Sequence, residues 1–332
     1  MDGKGSSGLL RGHRLRGTIL TIPRSRVLEW ETLLRRAFLA RWGGSYGRAG
    51  YFSDYLAHDP HHRAGRLVGL FVGDTLVSTY QIFSRSVRLS ERVYRLEGIG
   101  NVATAPEHQR QGYGRALMRS FLQAPRSRRD LAMVYARDGA FYRKLGWRPF
   151  SRGVIRIPLR GITPATLGAP VLHRRMNQAD LPAVSRIYAR FNRAEDLLHV
   201  VRTPRYWNEW VWEWKRRVYR LRAEVFTDAR RRPIGYAVSR LVGDQFRIEE
   251  YGALPSQHDQ VYRGLMQLAV QQNRCRFALA MRPVPSLRRW LASMSLSNAV
   301  EDGPDELGHV RFFHPSIRRR FSSVALWHID HF

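Results

Sequence analysis

The sequence predicts a mixed α/β fold, helices and strands interleaved around mixed sheets, arranged as two successive halves. Three observations carry this. Short apolar runs bounded by glycine, aspartate or proline alternate with segments whose apolar residues recur at three- and four-residue spacing, the marks of strands and helices. The order of these segments over residues 12–160 recurs over 171–332. Between them, residues 161–170 hold Gly161, Pro164, Gly168 and Pro170 and read as a linker.

Taken in order, residues 1–11 are polar and glycine-rich and are expected to be disordered. Residues 27–40 read as a helix with Leu28, Leu33, Leu34, Phe38 and Leu39 along one side. Residues 43–62, with Gly43, Gly44, Gly47 and Gly50, are expected to form a shaped loop with short helical pieces. Residues 66–72 and 76–88 read as antiparallel strands joined at Gly73-Asp74, and 93–104 as the next strand. A helix follows the glycine-bearing turn at 109–114, because Leu117, Met118, Phe121 and Leu122 give it an apolar side. Residues 131–136 form a strand, 140–144 a short helix, and a last strand closes the first half.

In the second half, 171–176 is expected as strand, 178–191 and 203–217 as helices, and 223–227, 234–241 and 246–251 as strands. A helix at 260–271, a strand at 277–281, a helix at 286–294 and a strand at 324–332 complete the series. Trp207, Trp210 and Trp214 stand at helical spacing, which favours a core or interdomain seam over base stacking.

The 332 residues give room for two domains, and 44% apolar and aromatic content is globular. No apolar run approaches about 18 residues, and the first residues lack the apolar core of a secretory signal, so a cytoplasmic protein without a membrane span is expected. The single cysteine, Cys275, rules out an internal disulfide and an all-cysteine metal site. His58, His61 and His62 beside Asp54 and Asp59 lack ligand spacing; solvated loop histidines are favoured over a metal site, with the lining of a pocket as another role, and no metal is expected. A formal charge of +29 attracts polyanions, but only Lys4, Lys144 and Lys215 are lysines among 56 basic residues, and arginine is spread along the chain. A compositional bias is therefore favoured over a nucleic-acid surface, Arg318-Arg319-Arg320 included.

The chemistry concentrates at 97–118, a strand feeding a glycine turn that opens into a helix. Amide groups at a helix start lack intrahelical partners and the helix dipole adds roughly half a positive charge, so the turn is an anion site. Gly112 and Gly114 let the backbone approach that anion. A dinucleotide fingerprint fails, because Leu117 stands where a third glycine is needed. What fits is QxxGxG over 109–114, preceded by VxTxP from Val102 and followed by Phe141-Tyr142-Arg143-Lys144-Leu145-Gly146-Trp147.

This pair of motifs resembles the GNAT superfamily of N-acetyltransferases. The resemblance implies an acetyl-CoA site in which the backbone of Val102, Ala103 and Thr104 pairs with the pantetheine arm. It implies that Gln109, Arg110, Gln111, Gly112, Tyr113, Gly114 and Arg115 hold the phosphates, Arg110 and Arg115 adding charge. Tyr142 is the implied acid for the departing thiolate, a packing tyrosine being the other reading. Aligned by the turn, the base position of the histone-acetyltransferase branch falls on Gly98, leaving Glu97 one residue out of register; it acts only if a bulge intervenes, and is otherwise solvated or salt-bridged.

Residues 98–106 and Asp138-Gly139-Ala140-Phe141-Tyr142 are similar to Eis-like acetyltransferases, which fuse an active and a degenerate GNAT half. The implied organisation is a tandem GNAT fold: an active N-terminal half at 12–160, the linker 161–170 and a degenerate half at 171–332, whose matching turn at 254–260 contains no glycine. By the same likeness Asp138 lies beside the cofactor or serves as a helix N-cap, and the chain-terminal Phe332 is a candidate base, against which stands its place in a strand completing the second sheet. The expected function is acetyl transfer from the coenzyme A thioester to a primary amine, on a small molecule or a peptide, by direct attack. The alternative is a non-catalytic acyl-CoA sensor, or a protein associated with nucleic acid through its arginines.

Overall fold

The computed structural model describes residues 17–42, 50–62, 66–125, 129–136, 139–151, 154–272, 276–279, 284–296, 301–303, 307–313 and 317. The tail at 1–11, the strand at 324–332, the arginine run 318–320, Cys275, Asp138 and Phe332 lie outside the described residues.

The first part of the chain runs through β1 (Thr18–Thr21), α1 (Val27–Trp42), α2 (Tyr51–His58), β2 (Leu67–Val72), β3 (Thr75–Leu89), β4 (Arg92–Thr104) and α3 (Tyr113–Gln123). β5 (Leu131–Tyr135), α4 (Gly139–Arg143), β6 (Arg148–Ser151) and β7 (Val154–Pro158) follow. The second part begins with β8 (His173–Arg175), α5 (Leu181–Ala194), β9 (His199–Val200) and a π-helix (Tyr206–Lys215) that runs into α6 (Arg216–Val218). It continues with β10 (Arg222–Thr227), β11 (Pro233–Val242), β12 (Gln245–Ala253), α7 (His258–Gln271), β13 (Arg276–Leu279), α8 (Pro285–Ser293), β14 (Glu301–Gly303) and β15 (Leu307–Phe312).

These strands build two mixed sheets. The first is ordered β1-β2-β3-β4-β5-β15-β6, with β9 paired to the far part of β3; the second is ordered β14-β7-β13-β12-β11-β10-β8. Each has one parallel neighbour pair, β4 with β5 and β12 with β13. Each also carries a bulge on the strand that enters this pair, at Asn101-Val102 in β4 and Glu249 in β12. Past the parallel pair the halves trade strands. β15 inserts between β5 and β6, setting His309 opposite Val134 and Pro149, while β7 lies between β13 and β14 with Ile157 opposite Phe277. The sheets therefore reunite segments from both sides of residues 161–170.

Side-chain alternation along the first sheet gives it two apolar faces. Phe83, Val87, Leu96 and Met133 pack toward α1, α2 and the π-helix, and Ile99, Ala132 and Val134 toward α3 and α4. On α1 the inward stripe is Trp30, Leu33 and Leu34, all buried, whereas Leu28 and Leu39 are 77% and 48% exposed. Leu28 precedes Trp30 by two positions, about 200° around the helix, so the tryptophan defines the stripe that the leucines alone suggested elsewhere. The tryptophan series forms the expected seam: Trp210 stacks on Trp214 at 5.0 Å, and Tyr55 of α2 meets both edge-on at 4.8 and 4.4 Å. Their helix is of π type, which the spacing did not distinguish from α.

Arginine crosses this interior. Arg202 and Glu250, with fully buried side chains, meet through two hydrogen bonds of 2.8 and 2.5 Å, the guanidinium lying over Tyr188 and Trp207, while the Tyr236 hydroxyl donates to Glu250 at 2.7 Å. Removing one partner of such a pair strands a buried charge, so Arg202→Met is expected to lower the unfolding free energy by about 3–5 kcal/mol in urea titration. Arg202→Met combined with Glu250→Leu is expected to recover most of that loss; an unchanged single variant would show that Glu250 reaches water.

Candidate active site

β4 carries the site. It pairs with β3 from Arg92 to Thr104, but with β5 only from Leu96, opposite Leu131, to Ile99, opposite Val134. From Gly100 to Thr104 one edge of its backbone thus faces no strand among the described residues, and an extended chain of amides and carbonyls can add there as a strand does. Val102, Ala103 and Thr104 all lie on this open edge. The bulge falls at its start, where Asn101 adopts φ +51° and donates from Nδ2 to Gln81 Oε1 at 2.6 Å.

Beyond Thr104 the chain makes a short turn at Pro106–His108 and then doubles back through residues 109–112, with Arg110 at φ +63° and Gly112 at φ +95°. α3 starts without a side-chain cap, and its first internal bond joins the Ala116 amide to the Gly112 carbonyl. The amides of Tyr113, Gly114 and Arg115 therefore remain for an anion. A side chain at Gly114 would come within 3.3 Å of Thr104 Oγ1, so the glycine sets the helix start against the end of the open strand. Arg110 and Arg115 are exposed at the mouth. Gln109 and Gln111 serve differently: their side-chain amides donate to the Thr104 and Glu107 carbonyls at 3.2 and 3.0 Å and shape the turn from within. Tyr113 is buried, edge-on to His108 at 5.8 Å.

In the second half, the corresponding turn at Pro255–Gln257 runs straight into α7 at His258. The stretch equivalent to 109–112, with its left-handed residues, is missing. Without it the backbone cannot wrap an anion, in keeping with the glycine-free 254–260.

Tyr142 sits on α4, 5% exposed, in the cluster that holds Ile99, Tyr113 and Ala116. Its ring meets Phe141 and Trp147 edge-on at 5.0 and 6.0 Å and stacks on His309 of β15 at 5.5 Å. Leu145 and Trp147 both donate backbone N–H bonds to the Tyr142 carbonyl.

Glu97 is a correction. Alternation turns it toward α3, away from the face of Gly98, and its carboxylate accepts from Arg66 and Arg129 at 2.9 Å each. Arg129 is itself buried over Phe121 at 4.2 Å. The bulge that could have re-aimed Glu97 lies downstream at Asn101-Val102, and the carboxylate is salt-bridged, the second of the two alternatives. The histidine loop also differs from expectation. His58, His61 and His62 are half-buried, burial holds His62 below the ordinary imidazole value, and Asp59 is committed to buried Arg85 at 3.0 Å. Among the described residues no three of His, Cys, Asp and Glu gather as a metal site.

Gln81 went unnoticed in the sequence. It lies opposite Gly100 at the head of the open edge, is fully buried, and its Nε2 has no hydrogen-bond partner among the described residues. Only the strand register could have marked it, since one glutamine among many carries no local signal.

Residues 19–150 match the family model described as an acetyltransferase (GNAT) domain. No curated protein matches the sequence significantly. Among solved structures, a probable N-acyltransferase from Enterococcus faecalis superposes with TM-score 0.69 at 15% identity, covering 90% of this chain and 73% of its own. Eis1 from Mycobacterium abscessus gives 0.60 at 18%, covering 89% and 73%. N-myristoyltransferase from Saccharomyces cerevisiae with bound myristoyl-CoA gives 0.56 at 11%, covering 92% and 84%. At these identities the likeness is one of fold, and it spans both sheets.

Gly114→Trp places a ring between the open strand and the helix start. It is expected to weaken coenzyme A binding at least about tenfold by calorimetry, through loss of charge-assisted phosphate contacts, with the circular dichroism of the wild type retained. Unchanged affinity would move the phosphate site elsewhere.

Proposed function

We propose that the protein is an acetyl-CoA-dependent N-acetyltransferase that delivers the acetyl group to a primary amine by direct attack. The observation that carries this reading is the adjoining of an unpaired strand edge, Gly100 to Thr104, to an uncapped helix start at Gly112–Arg115. One accepts an extended amide chain and the other a diphosphate, the pantetheine arm and the adjoining linkage of coenzyme A.

In this reading Val102, Ala103 and Thr104 align the pantetheine arm, and the amides of Tyr113, Gly114 and Arg115, with the Arg110 and Arg115 guanidinium groups, hold the phosphates. The unpartnered Gln81 amide supplies a donor where a carbonyl of thioester or acceptor arrives, since a buried donor is stable only when satisfied. The neutral amine nitrogen attacks the thioester carbon, the carbon–sulfur bond breaks, and the thiolate takes the phenolic proton of Tyr142. The amine's surplus proton leaves to a base that Glu97, held by two arginines, does not provide. The second half, lacking the phosphate turn, acts as a structural partner within a tandem arrangement.

A panel of primary amines assayed for thiol release from acetyl-CoA tests this. The best acceptor is expected to show kcat reduced about 10²–10⁴-fold in Tyr142→Phe, the range of a lost general acid, with coenzyme A affinity kept. Turnover equal to wild type would remove Tyr142 from the acid role; no turnover with any amine, despite coenzyme A binding, would leave a binding protein.

A further inference from the structure

α4 has five residues, far below the length at which a helix holds itself in water. The position of Tyr142 is therefore set by what grips α4 from outside, and two grips come from one strand of the second half. At the helix start, Gly139 has no room for a side chain: a Cβ would lie 3.0 Å from His309 Nε2 and 2.7 Å from Arg143 Nη1. His309 is fully buried, and its ring also stacks on Tyr142. At the helix end, Arg311 Nη1 donates to the Leu145 carbonyl at 2.7 Å, and its guanidinium fills the space over Gly146, which turns the chain at φ +79°.

His309 and Arg311 are two apart on β15, on one side of the strand and about 7 Å from each other. β15 itself is locked between β5 and β6, opposite Val134 and Ala132 on one side and Arg148 and Pro149 on the other.

We propose that β15 is a clamp for the acid helix, with His309 and Arg311 as positioning residues that hold Tyr142 from the two ends of α4. The catalytic consequence rests on the acetyltransferase reading above; the clamp itself does not. The degenerate half then contributes to the chemical step through its exchanged strand, and leaves the phosphate turn untouched.

The test uses the full chain with Arg311→Ala and, to retain a donor, Arg311→Lys. Hydrogen exchange is expected to speed up about tenfold or more at the 142–147 amides in Arg311→Ala, to return toward wild type in Arg311→Lys, and to stay unchanged at 113–116. Acetyl transfer is expected to lose about tenfold in kcat in Arg311→Ala with coenzyme A affinity within twofold, and to lose nothing further when Arg311→Ala is added to Tyr142→Phe, because the two act through one group. Unaltered exchange at 142–147 would overturn the clamp. An equal kcat loss in the Tyr142→Phe background would overturn positioning through Tyr142. Loosened exchange in a protein whose wild type acetylates no amine would sustain the clamp while refuting the acetyltransferase reading.

Discussion

The candidate site depends on a single interrupted pairing. β4 is paired on both sides from Leu96 to Ile99 and on one side after it. An unpaired strand edge buried among helices would be unstable, and left fully open it would invite another chain. Here the bulge at Asn101 twists the edge away from β5, and the Gly112 turn brings the start of α3 across its end. The polar groups of the strand and the orphan amides of the helix then converge on one cleft. Glycine at 98 and 100 keeps side chains of β4 off one face, and the bulky residues of that face, Phe83 and Met133, come from the neighbouring strands.

The arginine richness of the chain has a structural share. With 27 acidic residues against 56 basic ones, carboxylates are the scarce partner. Several are held inside: Asp59 by Arg85, Glu97 by Arg66 and Arg129, Glu249 by Arg240 and Arg247, and Glu250 by Arg202. Arginine suits such places because its planar group forks onto a carboxylate while its faces lie on aromatic rings. Each of these acids takes at least one arginine inside with it, so the interior pairs do not account for the positive charge of the surface. A surface of this charge repels polycations over the screening length of about 8–10 Å.

What the sequence disclosed was local in origin. The turn at 109–114 and the tyrosine helix are each encoded by contiguous residues, so their motifs survive reading in one dimension, and the fold class and the repeated order of elements follow from periodicity. The offset of Glu97 from the face of Gly98 was equally visible, because alternation in a strand is strict. Pairing of β15 with strands more than 150 residues before it was not. Leu307–Phe312 has the pattern of any short strand, and nothing in it says that its neighbours are β5 and β6. Gln81 and His309 matter through such neighbours. Leu28 misled because apolarity alone does not fix where a helical stripe lies when a tryptophan two positions on is larger.

The exchanged strand also has a meaning in time. Synthesis delivers the amino-terminal residues first, and domains generally fold as they emerge. The nascent chain can form β4, the glycine turn and α3 early, yet the gap between β5 and β6 stays open until residue 312 has been made. In the acetyltransferase reading, the strand edge and turn proposed to hold coenzyme A can thus form well before the ring of Tyr142 has its seat, and a chain stopped short of residue 307 would carry that donor site without the strand that clamps the acid helix.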